Sequence, residues 1–115
     1  MITLQRIQSG IERELGAIGD LVAAIAQAAD NAAQTEAAYK SAFAKARISA
    51  RAAGAFEKVT VGQVDDEAAV ATESLHLAYL IASNHLTATR EALRASQARL
   101  DGLRSLLSSF KLAGG

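Results

Sequence analysis

Apolar residues recur along this chain at steps of three and four. In the first half Leu4, Ile7, Ile11, Leu15, Ile18, Val22, Ile25, Ala29 and Ala32 form a stripe that continues through Tyr39, Phe43 and Ala46. That spacing is the mark of an amphipathic helix. The four-step from Ile11 to Leu15, following the four-step from Ile7, reads as a stutter in a heptad pattern. The second half is more regular. Leu75, Tyr79, Ala82, Leu86, Thr89, Leu93, Ser96, Leu100, Leu103, Leu107 and Phe110 alternate steps of four and three, as in a coiled-coil seam. Thr89 and Ser96 are its polar members.

The two patterns are separated between Arg51 and Val61. Gly54 can take the left-handed conformation that ends a helix. Thr60 and Gln63 then form a T-x-x-Q capping box, with Val59 and Val64 at the positions of a hydrophobic staple. Asp65, Asp66 and Glu67 follow, where carboxylates favour the positive end of the helix dipole. At the other end Thr3 is suited to cap the first helix. The pattern predicts helix 1 over about 4–53, a turn over about 54–60 and helix 2 over about 61–112, each roughly 75 Å long at 1.5 Å per residue. The fold class expected is all-α: a single antiparallel two-helix hairpin with coiled-coil packing.

Composition agrees. Of 115 residues 27 are Ala, aromatics are 4%, and Pro, Cys and Trp are absent. Such a chain lacks the β-branched and aromatic content of a sandwich or barrel. Without Pro it lacks the usual helix breaker. Without Cys it has neither a disulfide scaffold nor a thiolate metal site.

The formal net charge of zero resolves into four blocks. Residues 1–39 carry five acids and two bases, 40–58 one acid and five bases, 59–89 four acids and no Lys or Arg, and 90–115 two acids and five bases. Folding back at about residue 57 sets opposite blocks side by side. Glu12 and Glu14 then approach Arg99 and Arg104, Asp20 approaches Arg94, and Arg47 approaches Asp66 and Glu67. Exposed pairs contribute only about 0–1 kcal/mol each. Together they select the register, because shifted or parallel arrangements oppose like charges.

Further apolar residues lie off these stripes: Leu77, Leu80, Ile81 and Leu106 on helix 2, and Leu21, Ala24, Ala28 and Ile48 on helix 1. An apolar surface wider than one seam suits a helix with two neighbours. The expectation is a homodimer closing a four-helix bundle. Its seam would be held by Leu75, Tyr79, Leu86, Leu93, Leu100, Leu103 and Leu107.

Candidate chemistry is sparse. His76 and His85 are nine residues apart, which puts them on opposite sides of one helix. Glu73 and His76 make one E-x-x-H, an element that binds di-iron only when repeated with carboxylates on facing helices. Asp65, Asp66 and Glu67 fan out around a helix and do not converge. No P-loop, dinucleotide fingerprint, H-E-x-x-H or G-x-S-x-G is present. The chain reads as non-enzymatic, without cofactor or metal. Lys40, Arg47 and Arg51 share one face at i, i+7 and i+11, with Lys45 nearby. These four form the candidate interaction surface. Tyr39 and Phe43, beside them, are spaced as core residues, which favours filling the seam over stacking on bases. Nucleic acid is thus the lesser candidate partner.

The N-terminus, Met1-Ile2-Thr3-Leu4-Gln5-Arg6, has no basic stretch before an apolar core and does not read as a secretory signal. The most apolar run, Leu21 to Ala29, falls short of the roughly 20 residues a bilayer requires. A soluble, cytoplasmic protein is expected, with no membrane partner.

Three segments carry a family resemblance. Ala38-Tyr39-Lys40-Ser41-Ala42-Phe43-Ala44-Lys45-Ala46-Arg47-Ile48-Ser49-Ala50 precedes a Gly-containing turn. Val59-Thr60-Val61-Gly62-Gln63-Val64-Asp65-Asp66-Glu67-Ala68 follows it. The chain then closes with Ala92-Leu93-Arg94-Ala95-Ser96-Gln97-Ala98-Arg99-Leu100-Asp101-Gly102-Leu103-Arg104-Ser105-Leu106. Over about residues 37–106 this resembles a group of small helical proteins of tailed phages and prophages of Gram-positive bacteria. They share a YK-x-x-x-A-K-A helix, a turn, a capped second helix and a terminal L-R-x-x-x-x-x-L-x-x-L-R-S run. Members tend to be encoded among replication and recombination genes. The resemblance implies an interaction module in host cytoplasm that binds a protein partner in phage DNA metabolism or host takeover. A direct DNA-binding accessory of recombination and a structural virion component are the competing expectations. Secreted helical hairpins of W-x-G type share the outline, but this chain has no Trp and its turn reads Ala53-Gly54-Ala55.

Overall fold

A computed structural model describes residues 2–54 and 58–114. It is all-helical, as the periodicity predicts. The elements are α1 (Leu4–Ala53), α2 (Val61–Ala71) and α3 (Glu73–Leu112). The reversal expected at about residue 57 lies outside the described residues.

Both expected start signals are present. Arg6 N donates to Thr3 Oγ1 at 3.2 Å. Thr60 is extended (φ −78°, ψ 157°), its Oγ1 accepts from Gln63 N at 3.1 Å, and Gln63 Oε1 accepts from Thr60 N at 2.9 Å. Each reciprocal bond satisfies an amide that the first helical turn leaves without a partner.

Gly54 departs from expectation. Among the described residues only Gly114 has positive φ, so Gly54 does not end α1 through a left-handed turn. Its role is steric. A Cβ at Gly54 would lie 2.1 Å from Val59 Cγ2, closer than any side chain tolerates. The glycine lets the chain leading into α2 pass against the end of α1.

The expected single second helix is instead two, divided at Thr72. This residue sits at φ −113°, ψ 14°, and its N–H is shared between the carbonyls of Ala68 and Val70. Its buried hydroxyl donates to Ala68 O at 2.7 Å. A Thr bonding back to the carbonyl four residues earlier competes with the helix ladder and bends it. The seam is displaced with it. Val64, Ala68 and Thr72 are buried at successive four-steps, whereas Leu75, expected in the seam, is 39% exposed. From Tyr79 to Phe110 every expected position is buried or half-buried.

The phase of α1 also needs correction. Ile7, Ile11, Glu14, Ile18, Leu21, Ile25, Ala28, Ala32, Thr35, Tyr39, Ala42 and Ala46 are all buried or half-buried. This is an unbroken alternation of four and three, with no stutter. Leu15 and Val22, expected in the stripe, are 49% and 55% exposed. Glu14 and Leu21 take their places. Glu14 holds a seam position despite its charge, so apolar identity alone does not trace the stripe.

The chain divides into two compact units. One comprises Met1–Gln27 with Leu86–Gly115, the other Ala28–His85. In the first, a Cβ at Gly10 would meet Leu103, and Glu14 pairs with Arg99, so the two segments run antiparallel. In the second, Tyr39 meets His76 and Arg47 meets Asp65, which again requires antiparallel segments. Their cores are small: among the described residues Ile7, Thr89, Ser96 and Leu100 are buried in the first, and Ala28, Ala32, Ala50, Val64, Ala68, Thr72 and Ala82 in the second.

Candidate interaction surfaces

Half of the candidate basic surface in the second unit is engaged by its own chain. Lys40 Nζ lies 2.7 Å from Glu36 Oε1 one turn earlier. This contact lowers the Glu36 pKa from its ordinary value and raises that of Lys40. Arg47 Nε lies 2.9 Å from Asp65 Oδ1. Both atoms are buried and outside hydrogen-bond geometry, so charge alone joins them. The expected partners of Arg47 were Asp66 and Glu67. One residue is 100° of helix, enough to turn those two outward. Lys45 and Arg51 are exposed.

The neighbouring aromatics are occupied as well. The Tyr39 ring stacks on His76 at 4.5 Å and 14°, lies 6.2 Å from Tyr79, and is 6.0 Å from Phe43 in a tilted arrangement. These contacts hold Tyr39 in the seam, the placement its spacing favours. Among the described residues no three His, Asp or Glu side chains are grouped to hold a metal ion. No helix there is long and apolar enough to cross a membrane.

In the first unit Glu14 is the focus. The Ser96 hydroxyl donates to one carboxylate oxygen, and Arg99 Nε donates to the other at 2.8 Å. These two bonds, Ser96 foremost, hold the Glu14 pKa below its ordinary value, because both favour the ionised carboxylate. The Glu14–Arg99 pairing is the one the charge blocks predict. Asp20 and Arg94 form no ion pair among the described residues.

Beside this pair is a groove that sequence reasoning missed. It is an open concavity of about 430 Å³, with Arg6, Arg13 and Arg99 around Leu103 and Leu106. Gly102 leaves open space, since a Cβ there would meet nothing within 4 Å, whereas Gly10 lets Leu103 approach to where its Cβ would stand. The available signal was these two glycines, which the charge-derived register already sets nearly opposite each other. A second concavity, of about 460 Å³, lies on the outer side of α2 and is lined by Asp66, Glu67, Val70 and Ala71.

Comparison with known protein families, curated proteins and solved structures found no match.

Proposed function

We propose that this chain is a non-enzymatic helical interaction module. In this reading two copies of the helical hairpin that the periodicity predicts assemble into a four-helix bundle. The observation that carries it is the apolar surface a single chain leaves uncovered. Val70, Leu77, Leu80, Ile81 and Leu106 are all exposed, while among the described residues most of the buried apolar side chains are Ala. Burying such side chains contributes roughly 25 cal/mol per Å², so covering these positions with a second copy is favourable.

The partner beyond self is a protein in phage DNA metabolism or host takeover, as the family resemblance implies. Engagement of Lys40 by Glu36 and of Arg47 by Asp65 supports a protein partner over DNA, since it removes half of the candidate cationic face from phosphate contact. Light scattering tests the assembly. A mass near twice the 12.0 kDa of one chain is expected, and one near 12.0 kDa overturns it. Affinity capture from infected cells with and without nuclease tests the partner. Loss of all captured protein after nuclease, together with salt-sensitive binding to purified DNA, would replace this reading with direct DNA binding.

A further inference from the structure

We infer that the outer face of α2 and of the first turns of α3 is a self-recognition surface: the apolar row Val70, Leu77 and Ile81 of one protomer packs antiparallel against the same row of a second copy. The inference rests on the self-association reading and names its surface. Every residue it uses lies within the unit Ala28–His85.

The row stands opposite the seam. Val64, Ala68, Thr72, Tyr79 and Ala82 are buried or half-buried, whereas Val70, Leu77 and Ile81 are 76%, 57% and 60% exposed. Steps of seven and four at 100° per residue keep these three within about 40° of one direction. The helical ladder continues across Thr72, since His76 N donates to Thr72 O at 2.9 Å. With its neighbours the row reads as a second heptad seam. Glu67, Ser74 and Ile81 hold one position, and Val70, Leu77 and Asn84 the other, all six exposed. Ala71 and Ala78, exposed on one flank, keep that side low enough for a second helix to approach.

The order of these residues makes the row complementary to itself when reversed. About a twofold axis passing between Leu75 and His76, Val70 of one copy meets Ile81 of the other, Ser74 meets Leu77, and Glu67 meets Asn84. Small opposes large in the middle, and at each end an amide that can donate meets a carboxylate. A parallel pairing would instead set Glu67 against Glu67. The concavity lined by Asp66, Glu67, Val70 and Ala71 is the space that Ile81 of the second copy enters. A cationic partner protein is the poorer fit, because between Glu67 and Asn84 there is one carboxylate, Glu73. The twofold contact covers the row on both copies and closes, leaving neither with an open face.

The chain has no Cys, so introduced thiols report the pairing directly. Val70→Cys and Ile81→Cys, mixed and mildly oxidised, should give a disulfide-linked dimer. Neither should do so alone, since like positions then stand eleven residues apart, about 16 Å along the helix, and a disulfide spans a Cα distance of about 4–7 Å. Leu77→Glu should weaken self-association by about tenfold or more in sedimentation equilibrium. Its helix content by circular dichroism should be unchanged, because Leu77 is exposed. Ile48→Glu, at an exposed position of α1, should leave the dimer intact. Linkage of Val70→Cys alone, no linkage in the mixture, or a Leu77→Glu chain that dimerises like wild type would overturn the inference while leaving self-association standing. A wild-type chain monomeric at every concentration would overturn both.

Discussion

Glu14 of α1 and Ser96 of α3 meet in the middle of an apolar seam, where the Ser96 side chain has no exposure and its hydroxyl donates to the carboxylate. A slip of one heptad would set Ser96 against Ile7 or Leu21 and strand its hydroxyl in an apolar environment. The pair therefore specifies register more than it adds stability, as buried polar residues do in other coiled coils. Removing one partner should cost more than removing both. Ser96→Ala should lower stability by about 1–2 kcal/mol. Adding Glu14→Leu to it should recover most of that loss while loosening the register. Urea unfolding of the two variants and of Glu14→Leu alone gives the coupling, and strict additivity would contradict it.

Acid should weaken the fold. Glu14 and Glu36 both titrate below the ordinary carboxylate value of 4.5 when folded. As pH falls the unfolded chain protonates first, so their contribution is present above about 4.5 and is lost as the pH drops through the depressed folded values. Lys40 has the opposite sign: its contribution is present below 10.5 and is lost as pH rises through its raised value. Thermal midpoints should hold steady across neutral pH and fall at both extremes. Glu14→Gln should flatten the acid limb, and an unchanged limb would assign it to other carboxylates.

Glycines of this chain should respond to alanine with opposite signs. Gly16 and Gly19 lie within α1 with nothing within 4 Å of an added Cβ. Gly16→Ala and Gly19→Ala should each stabilise by about 0.5–1 kcal/mol, by reducing the freedom of the unfolded chain. Gly54→Ala meets Val59 and should destabilise by about 1–3 kcal/mol. Val59→Ala placed on that background should relieve the clash. Denaturant midpoints at constant slope check all four.

The capping box predicts a local effect. Thr60→Ala should cost about 1 kcal/mol. Faster amide exchange should be confined to α2, because α3 has its own start beyond Thr72. An equal acceleration across α3 would show that the two helices open as one.

The features legible in the sequence were local ones. The Thr3 and Thr60 caps and the limits of α1 depend on residues within four positions of one another. The Glu14–Arg99 pairing was legible because charge blocks carry long-range information at low resolution. Thr72 was not, since neither Gly nor Pro marks the bend and the hydroxyl acts through a choice of carbonyl. Leu75 was misplaced for the same reason, as it was extrapolated through a bend. The groove is not legible because it depends on how closely Leu103 approaches Gly10 and on the open space at Gly102, which are properties of the packed pair.

The sequence by itself determined that this chain is helical, where α1 and α2 begin, and which charge blocks oppose each other, because periodicity, capping and net charge are properties of neighbouring residues. The tertiary structure alone decided the phase of α1 around Glu14 and the shift of the seam at Thr72, whereas the inner face of α3 from Tyr79 to Phe110 is the one the periodicity predicts. A charged Glu14 enters the seam only because Ser96 and Arg99 stand opposite it, and an apolar Leu15 leaves it because the heptad through Ile11, Glu14 and Ile18 admits no other phase. Inside and outside are set by the partner across the interface, and a single strand of text does not contain that partner.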